Sequence, residues 1–74
     1  MIRRLLDDSP AGITANDAAE ACGVTRQQAN RVLKRLHDMG DLVVLGVTYD
    51  GGSWVYAKAE FHGGLKDSKE VIWR

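Results

Sequence analysis

The chain has 74 residues, and ten Lys and Arg balance ten Asp and Glu. Hydrophobic residues make up 45% and charged residues 27%, which excludes a disordered chain and allows one small domain with a thin core. The single cysteine, Cys22, excludes an internal disulfide, and the longest apolar run, Leu42–Leu45, is far too short to span a bilayer.

The opening MIRRLLDD has two arginines and no following apolar stretch, so it does not read as a signal peptide, and a cytoplasmic protein is expected. Ile2–Asp8 reads as a short helix with Ile2, Leu5 and Leu6 on one face. Ser9-Pro10-Ala11-Gly12 breaks it, and Gly12-Ile13-Thr14 is extended at most. Thr14 is an N-cap, Asp17 closes a capping box, and a second helix runs over Ala15–Cys22 until Gly23 ends it. Ala18, Ala19 and Cys22 are small enough for another helix to lie close.

Thr25 and Gln28 form a second capping box, which opens a third helix over Arg26–Met39. Ala29, Val32, Leu33 and Leu36 are its expected buried stripe, and Gly40 stops it. A hairpin follows: Leu42–Val47, a turn at Asp50-Gly51-Gly52-Ser53, and a return strand over Trp54–Ala57. In the tail, His62-Gly63-Gly64 reads as a loop, and Lys69–Arg74 as either a last strand or a short helix.

The charge is neutral in sum and segregated along the chain. Between Ala21 and His37 stand Arg26, Arg31, Lys34 and Arg35 with no acid, while Asp7, Asp8, Asp17 and Glu20 precede them and Asp38 and Asp41 follow. The order helix, glycine turn, helix, hairpin is that of a winged helix-turn-helix. Ala19, Gly23, Ala29 and Val32 have the spacing of a helix-turn-helix crossing. With Thr25, Leu36, Gly40 and Asp41-Leu42-Val43, they make the chain resemble the winged-helix regulators of bacteria and phage, such as the multiple-antibiotic-resistance and GntR-type repressor domains. The resemblance covers roughly residues 2–59. It implies an α+β fold of three helices and a C-terminal β-hairpin wing, with the third helix in the major groove of double-stranded DNA. Residues 1–59 are then the domain, and 60–74 a tail that adds a strand or a dimerisation segment.

On that helix, Gln27, Gln28, Asn30 and Arg31 are the expected base readers, since amides and guanidinium make bidentate bonds to base edges. Thr25, Arg26, Lys34 and Arg35 are the expected phosphate contacts. In the wing, Tyr49, Ser53 and Lys58 are weaker candidates, because the tip carries Asp50, which phosphate repels, and no cation. Trp54 is expected in the base of the wing. Cys22, His37 and His62 lack metal-ligand spacing, so no metal is expected, nor any cofactor, catalytic residue or enzymatic activity. A small transcriptional regulator is the first expectation, acting as a dimer or by cooperative binding, with residues 60–74 as the candidate dimer surface if they do not fold back as an extra strand. The alternative is a winged-helix module that docks on a protein partner, as in a phage or plasmid accessory protein.

Overall fold

The computed structural model describes residues 2–49, 52–63, 66–68 and 70–72. It is a small α+β domain of three helices and an antiparallel strand pair, with a short third strand added in parallel. The helices are α1 (Ile2–Asp7), α2 (Ala15–Cys22) and α3 (Arg26–Asp38). The strands are β1 (Leu42–Thr48), β2 (Trp54–Lys58) and β3 (Val71–Ile72), in the order β2-β1-β3. Among the described residues no helix is long and apolar enough to cross a membrane.

Both capping boxes form. The Thr14 hydroxyl accepts the Asp17 N–H at 3.2 Å, and the Asp17 carboxylate accepts the Thr14 N–H at 3.1 Å. Thr25 and Gln28 repeat the exchange at 3.1 Å in each direction. Each pairing satisfies two helix-end donors and contributes about 1 kcal/mol. Gly23 adopts φ +66°, the left-handed conformation that lets α2 end and α3 begin within a few residues. The far end of α3 closes through Gly40 N–H to His37 O and Asp41 N–H to Leu36 O, both 3.0 Å.

The core gathers one side of every helix over the sheet. Leu6 comes from α1, Ala15 and Ala18 from α2, Ala29, Leu33 and Leu36 from α3, and Leu42, Val44 and Tyr56 from the hairpin. Val32 does not join them: it is 42% exposed, whereas Leu33 is fully buried. The buried arc of α3 centres on Ala29, Leu33 and Leu36, and Val32 lies off its edge. Ala19 and Cys22 are likewise only half-buried. Of the four positions with helix-turn-helix spacing, Gly23 takes the turn conformation and Ala29 is fully buried, while Ala19 and Val32 stay partly in solvent.

The hairpin contains a bulge that the sequence reading lacked. Val44 opposes Tyr56 and Gly46 opposes Val55, so Leu45 is the extra residue. The shift sets Val47, rather than Gly46, opposite Trp54. Ile13 pairs with the outer edge of β2 by exchanging two 2.8 Å hydrogen bonds with Tyr56. In the tail, Ala59–His62 forms one 3-10 turn, so His62 is helical rather than in a loop, and its Nε2 lies 2.7 Å from Pro10 O. Of the two readings for the end of the chain, the described part is a strand: β3 pairs with β1 at Val47–Val71 and Thr48–Ile72.

Gly12 ties the first loop to the back of the hairpin. Its φ is +97°, and a Cβ there would stand 2.6 Å from Val55 Cγ1 and 3.1 Å from Tyr56 O. Gly23 also has positive φ, with open space around it. Gly12→Ala is therefore expected to cost about 3 kcal/mol, from conformational strain plus overpacking, and Gly23→Ala about 1 kcal/mol from strain alone. Urea denaturation of the two variants checks the order, and equal losses would contradict the packing argument.

Candidate nucleic-acid interface

α3 presents different chemistry on its two free flanks, because successive residues rotate by about 100° around a helix whose third side is buried. Arg26, Gln27, Asn30 and Lys34 point toward the hairpin. With Ala15 from α2 and Gly52, Ser53, Trp54 and Tyr56 from the hairpin, they line a cleft of about 530 Å³. No carboxylate is among these lining residues. Gln28, Arg31 and Arg35 are exposed on the opposite flank, beside Val32.

The expected base readers are thus divided. Gln27 and Asn30 share the cleft, and Arg31 stands outside it. Gln28 serves the cap, since its Oε1 accepts the Thr25 N–H, and its amide Nε2 remains an exposed donor. The Thr25 hydroxyl is committed in the same way to the Gln28 N–H. Of the expected phosphate contacts, Arg26 and Lys34 line the cleft and Arg35 does not. Arg26 also spans the cleft mouth, with its guanidinium 3.4 Å from Ser53 Oγ. That contact brings Ser53 from the hairpin to the start of α3.

The other hairpin candidates fare differently. Tyr49 is 66% exposed near the tip. Asp50 lies outside the described residues. Lys58 sits at the far end of β2, opposite Leu42, and its ammonium pairs with Asp7 and, at 2.7 Å, with Glu60. Arg3, similarly, lies 3.9 Å from Asp41. Among the described residues Arg26, Arg31, Lys34 and Arg35 on α3 have no ion-pair partner, and neither do Arg4 and Lys66 elsewhere.

Trp54 stands at the cleft rim, 39% exposed, rather than within the base of the hairpin. Behind it is a cluster that sequence reasoning missed. The His37 ring meets Trp54 edge-on at 6.2 Å and Tyr56 at 5.9 Å. Its Nε2 lies 2.7 Å from Asp67 Oδ2, and its Nδ1 lies 3.8 Å from Asp38 Oδ1. The other Asp67 oxygen accepts the Val44 N–H at 2.9 Å. Burial raises the Tyr56 hydroxyl above its ordinary pKa, and the charges of Asp38 and Asp67 raise it further. Val44 N–H, and then the His37 contact, hold the Asp67 carboxyl below its ordinary value against a partial opposing effect of burial. An ionised Asp67 can only accept, so the His37 Nε2 carries the shared hydrogen. Nothing periodic marks this cluster, since His37 and Asp67 are 30 residues apart.

Among the described residues no three His, Cys, Asp or Glu side chains are grouped to hold a metal ion. Compared with known proteins, the chain matches no protein-family model, no curated protein and no solved structure.

A depressed carboxyl pKa stabilises the fold above the unfolded-state value of about 3.9, and that stability disappears as pH falls through the lower folded-state value. The urea midpoint of the wild type should therefore exceed that of Asp67→Asn at neutral pH, with the gap closing in acid below the ordinary carboxylate range. A gap that stayed constant down to acid would mean that the charge of Asp67 is not what holds the tail.

Proposed function

We propose that the chain is a winged helix-turn-helix protein that binds double-stranded DNA, with α3 as recognition helix and the hairpin as wing, and that it acts as a small transcriptional regulator. The observation that carries this reading is the cleft. Arg26, Gln27, Asn30 and Lys34 converge there with an exposed Trp54 and no lining carboxylate.

The start of α3 supports it. Arg26 is the first helical residue, and the first turn has no acid. A cation there opposes the helix dipole by about 0.3–1 kcal/mol, so the arrangement is unfavourable to the isolated helix. It leaves an electropositive end that a phosphate would neutralise. α2 has the ordinary arrangement, with Asp17 in its first turn.

In this reading Gln27 and Asn30 reach base edges, while Arg26 and Lys34 hold the backbone of the strand in the cleft. Arg31 and Arg35, on the outer flank, meet phosphates across the groove. Lys58 takes no part, because its ammonium serves the Asp7 and Glu60 contacts. The inner edge of β3 is taken by β1, so two copies on one operator would pair through its outer edge.

Binding-site selection from random duplexes, followed by titration at several salt concentrations, tests the proposal. Two to four neutralised phosphates should give a slope of log affinity against log salt of about −2 to −4. Lys34→Ala should reduce the steepness by about one and weaken all duplexes alike, whereas Asn30→Ala should relax preference at one position by about 1–3 kcal/mol. Absence of binding to every duplex at low salt would sink the reading. Salt-insensitive capture of one protein partner would then put the protein-docking alternative in its place.

A further inference from the structure

Trp54 forms the hairpin side of the cleft from the first position of β2, and it is partly in solvent. A tryptophan so placed has freedom in χ1 and χ2 unless something behind the ring removes it. Two rings stand behind it: Tyr56 at 6.1 Å, itself only 3% exposed, and His37 at 6.2 Å. Tyr56 is fixed in the core. His37 is fixed by Asp67, 2.7 Å from its Nε2.

Asp67 is in turn immobilised by the edge of β1. Its second oxygen accepts the Val44 N–H, and the next residue, Ser68, donates its N–H to Val44 O at 2.8 Å. Further along, Val47 N–H donates to Glu70 O at 2.9 Å, which leads into β3. The groups facing His37 are Asp38 on α3, Asp67 in the tail, and the rings of Trp54 and Tyr56 on β2. A continuous series of contacts therefore runs from β1 through Asp67 and His37 to the Trp54 ring.

We infer that Asp67 is a positioning residue of the cleft: through His37 it holds the Trp54 ring as the wall that faces Asn30 and Lys34. The role in binding rests on reading the cleft as a DNA site, while the hold on Trp54 stands on the contacts alone. The inference has an unusual sign. If charge alone mattered, removing an acid would strengthen binding to a polyanion. If Asp67 positions the wall, removing it weakens binding, because the ring then samples other rotamers and its ordering cost moves to the binding step.

The test uses the full chain with Trp73→Phe, so that the long-wavelength tryptophan bands of near-ultraviolet circular dichroism, beyond tyrosine and phenylalanine absorption, report Trp54 alone. Asp67→Ala is expected to reduce the Trp54 signal strongly with far-ultraviolet spectrum retained, and to weaken duplex binding roughly five-fold. Asp67→Asn keeps an acceptor for the Val44 N–H and removes the charge, so it serves if the alanine variant fails to fold; a smaller change of the same sign is expected. Glu70→Ala removes an acid from the same segment and should leave the Trp54 signal unchanged. An unchanged Trp54 signal in a folded Asp67 variant would overturn the inference, as would tighter DNA binding. Should the wild type bind no duplex, the DNA reading falls, and the Trp54 signal still decides whether Asp67 holds the ring.

Discussion

One helix has to serve both the core and the cleft. A chain of 74 residues cannot build a scaffold and then add a separate site to it. α3 therefore buries Ala29, Leu33 and Leu36 and, on an adjoining side, presents Arg26, Asn30 and Lys34. The fully buried Leu33 fixes the rotation of the helix about its axis. Once that rotation is set, the residues that face the hairpin follow from helical geometry alone. Val32 is the counterpart of this constraint: the same rotation leaves it 42% exposed at the edge of the buried arc.

The hairpin completes the cleft through a feature that looks minor. The bulge at Leu45 changes which residue opposes Trp54, so that Val47 is its partner on β1. Val47 is also where β3 joins the sheet, opposite Val71. The tail, the sheet and the cleft rim thus meet at one cross-strand position. The described end of the tail adds a strand to the sheet at that position.

What could be read from the sequence was what depends on residues close in the chain. Thr14 with Asp17, and Thr25 with Gln28, are exchanges across three residues, and both form. The helix limits, the glycine turn at Gly23 and the hairpin strands rest on equally local rules. The misses depend on distant partners. The ion pair of Lys58 was not legible because Asp7 is 51 residues away. His37 looked like a lone histidine because Asp67, Trp54 and Tyr56 reach it only after the sheet has formed. Gln28 is a different case: the cap, legible from local spacing, takes its Oε1, and the amide Nε2 stays a donor on the exposed flank.

The cations that line the cleft are free of acids. Outside α3, Arg3 and Lys58 lie beside acids, whereas Arg4 and Lys66 have no ion pair among the described residues. On α3, Lys34 has no acid partner among the described residues, and Arg26 touches only a neutral serine. Exposed ion pairs contribute little to stability, so leaving these cations unpaired loses the fold almost nothing. Their like charge, the exposed Arg26 at the helix start and the absence of an acid in the first turn still leave the start of α3 mildly unfavourable in isolation. A bound anion at Arg26 would relieve that condition, and a phosphate backbone would meet Arg26 and Lys34 together. These lie eight residues apart, about 12 Å along the helix axis, a reach that suits a strand of linked phosphates better than a single small anion.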